Sequence, residues 1–177
     1  MVPRELTTRR LLLRQWQDDD AEPLYGIYAQ PEYLETMPLI DLEGTRAQVE
    51  RWQRAWDEDG YCQWAACDLE SGRLIGRIGI LCHHDWPLSD RAVPEVGWVL
   101  DHDFWGQGLA TEGGLASVAV WREHLPDEPR LLSITTPENR RSRAVMNRCG
   151  LMLRGAAQWR GLDVVWYALE RGERGIV

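Results

Sequence analysis

The stretch FWGQGLATEGG, Phe104 to Gly114, holds four glycines in eleven residues. It follows the apolar run VPEVGWVLDHD and precedes LASVAVWREHL, which has helical spacing. Glycine lets a backbone approach a ligand closely. A helix beginning near Leu109 adds free N–H groups and the positive end of its dipole. Together they suit an anion, and a pyrophosphate would sit well there. A Walker A loop is excluded, because it needs Gly-Lys before Ser or Thr and all 20 basic residues are arginine. The dinucleotide fingerprint Gly-x-Gly-x-x-Gly after a first strand also fails. Gly106 and Gly108 match its start, but Gly113 lies two residues too far on and the loop falls past mid-chain. From these residues alone, phosphate binding competes with a plain strand-to-helix turn.

The loop needs elements to hold it. RRLLLRQW, from Arg9 to Trp16, is compatible with a first strand, and the aspartates that follow suit a helix start that Pro31 ends. Glu32 to Asp41 reads as a loop. Val49, Trp52 and Trp56 recur at helical spacing over Thr45 to Gly60. YCQWAACD and RLIGRIGILCHH flank the turn signal LESG and predict a hairpin. PEVGWVL predicts another strand, and the segment from Gly108 a helix ended by Pro126. RLLSITT, PENRRSRAVMNRCG and LMLRGAAQWRGLDVVWYALER read as strand, helix and two strands around Gly161. Strand runs and helical crossovers both occur, so the sheet should be mixed.

The composition narrows the function. The chain has 177 residues, is 44% hydrophobic and carries a net charge of −8, so one folded domain over 1–177 is expected. An acidic protein is not built to coat nucleic acid or anionic lipid. Cys62, Cys67, Cys82 and Cys149 form no CxxC pair, which favours free thiols in a reducing cytosol over disulfides or a metal site. The N-terminus has no signal-peptide core, and no run approaches the roughly 18 apolar residues of a membrane span. A cytoplasmic location follows as the expectation.

VGWVLDHDFWGQGLATEGG resembles the acyl-CoA-binding motif of the GNAT superfamily of N-acyltransferases, Gln/Arg-x-x-Gly-x-Gly/Ala after a strand. Gly108 and Ala110 fill its fourth and sixth positions, and Trp105 replaces the usual Gln or Arg. Three stretches are similar to the ribosomal-protein alanine N-acetyltransferase (RimJ/RimL) branch: EVGWVLDHDFWGQGLATEG, the opening TTRRLLLRQWQDDDAEPLY and the later PENRRSRAVMNRCGLMLRG. The resemblance implies an α+β fold, a single GNAT-like domain. Its sheet would be mixed, mostly antiparallel, of six to seven strands flanked by helices, with a bulged central strand.

It also implies acetyl-CoA as co-substrate, no metal, and an acceptor amine, either a protein N-terminus or a small amine. A homodimer is compatible with it. Trp98, Val99 and Leu100 would pair with the pantetheine amides, with Gly97 as the bulge residue. Gly106, Gln107, Gly108, Leu109, Ala110 and Thr111 would cradle the phosphates. Asn139 and Ser142 would hydrogen-bond the CoA arm near the sulfur.

Direct attack on a thioester needs a neutral amine, a donor to the oxyanion and a way to stabilise the thiolate. A backbone N–H near Val99 suits the oxyanion. Glu95 is the candidate base, with His83 and His84 as rivals; a salt-bridged strand carboxylate and a polar loop tip are their structural alternatives. The superfamily's frequent tyrosine acid, four residues beyond Ser142, is Met146 here, so Ser142 or water must protonate the thiolate, or it leaves unprotonated. Asn139 also suits a helix cap. Tyr33, His83, His84 and Trp86 are candidate acceptor-pocket residues. The competing reading is a non-catalytic acyl-CoA-binding module or sensor.

Overall fold

The computed structural model describes residues 1–172. Its chain order is β1 (Leu6–Thr7), β2 (Leu11–Arg14), α1 (Ala21–Tyr28), α2 (Pro31–Leu34), α3 (Leu42–Glu58), β3 (Gln63–Asp68), β4 (Leu74–His83), β5 (Val93–Leu100), α4 (Leu109–His124), β6 (Arg130–Thr135), α5 (Arg140–Arg148), β7 (Met152–Trp159) and β8 (Leu162–Glu170). One sheet carries the strands in the order β1-β2-β3-β4-β5-β6-β8-β7. All neighbours are antiparallel except β5 and β6. The sheet is thus α+β and mixed, with eight strands rather than six or seven. The two-residue β1 is too short to show a period.

Local chemistry explains most boundaries. The Asp41 carboxylate accepts from the Gly44 N–H at 2.8 Å and starts α3 three residues before Thr45. Pro31 does not merely stop α1. It occupies the first turn of α2, inside the segment expected to be a loop. Arg160 (φ 50°) and Gly161 (φ 78°) both take the left-handed conformation and turn β7 into β8.

The helices divide between the faces of the sheet. A methyl built on Gly113 would stand 2.6 Å from Ile78 Cδ1, and one on Gly114 2.7 Å from Cys149 Sγ. This glycine pair therefore lets α4 lie against β4 and lets α5 close on α4. The pair serves packing, not phosphate. On the opposite face α1 and α3 enclose Leu24, Tyr28, Trp52 and Trp56. Each large apolar side chain so buried contributes roughly 1.5–3 kcal/mol.

The feature that makes a site is where β5 leaves β6. The two strands pair at a single point, Glu95 opposite Leu132. Against β4 the register of β5 is unbroken from Val93 to Leu100. The expected bulge at Gly97 is therefore absent from the β4 side, and the strand is freed by divergence from β6 instead. In an antiparallel pair alternate residues turn their backbone groups away from the partner. Beyond Glu95, those groups of β5 meet a cleft.

Candidate active site

The cleft has a volume of about 1430 Å³ and runs from the glycine loop, between β5 and β6, to the face covered by α2 and α3. Pockets for one small ligand are usually about 300–1,000 Å³, so this one has room for two. At one end, Gly106 (φ 73°) and Gly108 (φ 80°) hold the loop in the left-handed region. Gly108 caps α4 without a side chain to take the helix's first N–H groups. A methyl on Gly106 would touch nothing within 4 Å, and one on Gly108 would meet only Arg10 Nη2, at 3.7 Å. An anion can thus approach both backbones.

The loop is held from below. The Glu112 carboxylate, in the first turn of α4, accepts from the Thr8 hydroxyl at 2.7 Å, the Arg10 N–H at 2.8 Å and Arg10 Nε at 2.8 Å. Burial alone would raise its pKa; these donors outweigh burial and hold it below the usual carboxylate value. Arg10 also donates to the Gln107 carbonyl at 2.8 Å. Trp105 donates its indole N–H to the Leu100 carbonyl at 2.8 Å. The Arg141 guanidinium lies 4.5 Å over its ring and pairs with Glu35 at 2.9 Å.

At the other end, one face of β4 and β5 carries the polar groups. His83 Nε2 and Glu95 Oε2 are 2.8 Å apart, and Glu95 Oε1 accepts from the Ile134 N–H at 3.2 Å. Both side chains are largely buried, at 4% and 13% exposure. The Glu95 carboxylate thus brackets the point where β5 and β6 part. Further along, Arg77 donates through Nε to the Tyr28 hydroxyl at 3.0 Å and through Nη1 to Gln63 Oε1. Burial works against its charge, but Tyr28, Tyr33 and Glu95 outweigh burial and raise its pKa. Tyr33 stacks on Tyr28 at 4.6 Å. Burial pushes its phenol up to about 12, so it stays protonated near neutral pH.

Residues 10–152 match the acetyltransferase (GNAT) domain family. The chain belongs to that family. The GNAT assignment is supported by relatives. An uncharacterized protein of Bacillus subtilis (strain 168), YkkB, is 30% identical over 114 residues, 63% of this chain and 64% of that protein; the match thus spans less than two thirds of its length. An uncharacterized N-acetyltransferase of Bacillus licheniformis, p20, is 24% identical over 95% of this chain and 97% of its own. Among solved structures, an acetyltransferase from Agrobacterium tumefaciens str. C58 aligns with a TM-score of 0.79 and 28% identity, covering 97% of this chain and 96% of that one. RimL, a ribosomal L7/L12 α-N-protein acetyltransferase solved with coenzyme A, aligns at 0.72 and 20% identity, over 96% and 97%.

In this GNAT-family chain, Glu95, Trp98, Val99, Leu100, Gly106, Gly108, Leu109, Ala110, Thr111, Asn139 and Ser142 all line the cleft, as do Tyr33, His83 and His84. Two expected residues do not. Gln107 turns its amide to the Asp103 carbonyl at 3.1 Å. Trp86 is 3% exposed and packs in a small core with Val93, Leu132 and Val164, edge-on to Trp159 at 5.5 Å. A clamp lies beside it: Asp85 pairs with Arg160 at 2.9 Å and its carbonyl accepts from the Trp159 indole at 3.1 Å. That ties the β4–β5 loop to the β7–β8 turn, and Trp86 gains more by burial against Leu132, Val164 and Trp166 than by facing the cleft. His84 stands apart from Glu95, 68% exposed and 3.2 Å from Asp59 Oδ1. These two lie within 4.8 Å of Cys82 Sγ, a grouping of metal-ligand type at the cleft's rim. Asn139 caps α5, accepting from the Ser142 N–H at 3.0 Å. Met146 is 1% exposed, in the core.

Two residues that line the site had no motif to announce them, and a third, Arg10, lay in the opening stretch with no role assigned to it. Arg10 braces the loop, while Gln63 and Arg77 line the cleft beside Tyr28. The sequence did carry one signal for Arg77, a lone charge inside the apolar run LIGRIGIL. Charged residues are seldom buried without a purpose or a partner.

Proposed function

We propose that the protein transfers the acetyl group of acetyl-CoA to a primary amine by direct attack in a ternary complex. The observation that carries this reading is the parting of β5 from β6 at Glu95, with an open glycine loop on one side and the His83–Glu95 pair on the other. The relatives named N-acetyltransferase and the CoA complex of RimL support it. Pyrophosphate would lie on the N–H groups of Gly108 to Thr111. The pantetheine amides would take the backbone groups of Trp98 and the Leu100 N–H, which turn away from β4, while the Leu100 carbonyl is held by Trp105, so CoA completes the interrupted sheet. Ser142, lining the same groove, would stand near the sulfur.

The amine nitrogen attacks the thioester carbon, and a backbone N–H near Val99 stabilises the oxyanion. The amine's proton passes to the His83–Glu95 pair. A carboxylate oxygen keeps a second lone pair when it accepts one bond, so Glu95 can hold His83 and Ile134 and still receive a proton. The tetrahedral intermediate collapses, the C–S bond breaks, and Ser142 or water protonates the thiolate. Met146 is too deeply buried to take part. The structure favours Glu95 with His83 over His84, which is tied to Asp59 at the rim.

Free-thiol release from acetyl-CoA in the presence of peptides beginning Ala, Ser or Met, aminoglycosides and polyamines tests the reading. Release should depend on the amine. CoA binding without release for any amine would instead indicate a non-catalytic module.

A further inference from the structure

On the acetyl-transfer reading, we propose that the acceptor carries a carboxylate as well as its amine, and that Arg77, with Arg51 beside it, binds that carboxylate. Arg77, Leu81 and His83 lie on one face of β4, opposite Val99, Glu95 and Val93. The groups suited to the amine and the arginine therefore share one wall of the cleft. Arg77's hydrogen-bond partners are neutral, the Tyr28 hydroxyl and Gln63 Oε1, and they occupy Nε and Nη1. Trp52 lies under the guanidinium, 5.5 Å away. Among the described residues no carboxylate forms an ion pair with Arg77, and none pairs with Arg51, which also lines the cleft.

Arg143 of the later motif rests on the Tyr167 hydroxyl and the Pro137 carbonyl, but two arginines of the opening stretch pair with carboxylates. Arg14 grips Asp20 with two bonds of 2.7 Å, and Arg10 grips Glu112. Arg77 is held as rigidly, yet its Nη2 has no protein partner among the described residues. A half-buried guanidinium pinned by neutral groups is a pre-formed half of a bidentate carboxylate pair. Arg51's charge also acts on Tyr28, so both cations bear on the same corner. Glu32, Glu58 and Asp59 line the outer part of the cleft. Asp59 lies against His84 and Glu32 against His102; the charge of Glu95 also reaches Arg77, but Glu95 spends its hydrogen bonds on His83 and Ile134.

The geometry sets a spacing. Glu95 is opposite Leu81, four residues along β4 from Arg77, or about 13 Å at roughly 3.3 Å per residue. The reach of both side chains into the cleft shortens this, so amine and carboxylate should be separated by about 5–10 Å. That exceeds the spacing in an α-amino acid. It fits a peptide with Asp or Glu within its first few residues, and equally a linear ω-amino acid.

Thiol release should be compared for the C-terminally amidated peptides Ser-Asp-Ala-amide and Ser-Asn-Ala-amide, and for 5-aminopentanoate against pentylamine, with wild type, Arg77→Gln and Arg77→Lys. In parallel, calorimetry should follow 5-aminopentanoate binding to the CoA-saturated protein. The wild type should prefer the carboxylate of each pair by about tenfold or more, through KM. The preference should fall to near one in Arg77→Gln and persist in part in Arg77→Lys, with CoA affinity reporting folding. Preference for the peptide alone or for the ω-amino acid alone identifies which source fits. No thiol release with any amine, beside Arg77-dependent binding in calorimetry, would sink acetyl transfer and keep the carboxylate subsite. Equal use of both members of each pair by the wild type, or an undiminished preference in Arg77→Gln, would overturn the subsite.

Discussion

Replacing Glu95 by Gln is the sharpest test of the chemistry. The change preserves size and removes only the carboxylate's charge and basicity. Its two hydrogen bonds can survive. The glutamine oxygen can accept from the Ile134 N–H, now at 3.2 Å, and its amide can donate to His83 Nε2, now at 2.8 Å, if the imidazole places its proton on Nδ1. What is lost is the charge-assisted part of those bonds, about 1 kcal/mol of stability. That would lower the melting temperature by a few degrees in a chain of this size. The rate should fall far more. Removing a general base typically costs on the order of 10²–10⁴-fold, or about 2.7–5.4 kcal/mol at 1.36 kcal/mol per decade. The loss belongs in kcat, with acetyl-CoA affinity nearly unchanged. Raising the pH should recover part of it, because more of the acceptor amine is then already neutral. Stopped-time thiol assays from pH 6 to 10 beside a melting curve make the measurement. A folded variant with wild-type kcat at pH 7 would refute the assignment. So would a loss that tracks the unfolded fraction.

Three further outcomes follow from particular contacts. Gly108→Val should cost about 1–2 kcal/mol from the left-handed backbone it imposes on a β-branched residue, and should weaken acetyl-CoA binding at least tenfold in calorimetry by blocking the approach to the loop. Glu112→Gln should destabilise the protein by about 1–3 kcal/mol at neutral pH. Because the folded carboxyl has a lowered pKa, its contribution is complete above the ordinary carboxylate range and fades as pH falls through the folded value; urea melts of both forms should converge in acid. Trp86→Ala should lower stability by about 3–5 kcal/mol while leaving the KM for acceptor within about twofold, since the side chain belongs to the core.

Much of the architecture was legible because its signals are local. The hairpin turn LESG, the helical spacing of Val49, Trp52 and Trp56, and the glycine loop between a strand and a helix each specify their own conformation. The motif positions at Gly108, Ala110, Asn139 and Ser142 all line the cleft. The boundaries missed were those where no period can build up: β1 with two residues and α2 with four.

Decisions made between distant segments belonged to the tertiary structure. Leu132, Val164, Trp159 and Trp166, from strands distant in sequence, close around Trp86 and make it core rather than pocket wall. Glu112 meeting Thr8 and Arg10 made the opening stretch a brace for the glycine loop. His83 and His84 are adjacent in sequence and equal in type, yet the alternation of β4 delivers His83 to Glu95 and leaves His84 beyond the strand's end, with Asp59. No local pattern could rank them, because a side chain's role as a base depends on which carboxylate the fold sets beside it. Arg77 shows the same limit from the other side. Its lone charge in an apolar strand marked it as unusual, but only the neutral cradle of Tyr28, Gln63 and Trp52, drawn from three other elements, holds its guanidinium with no ion-pair partner among the described residues.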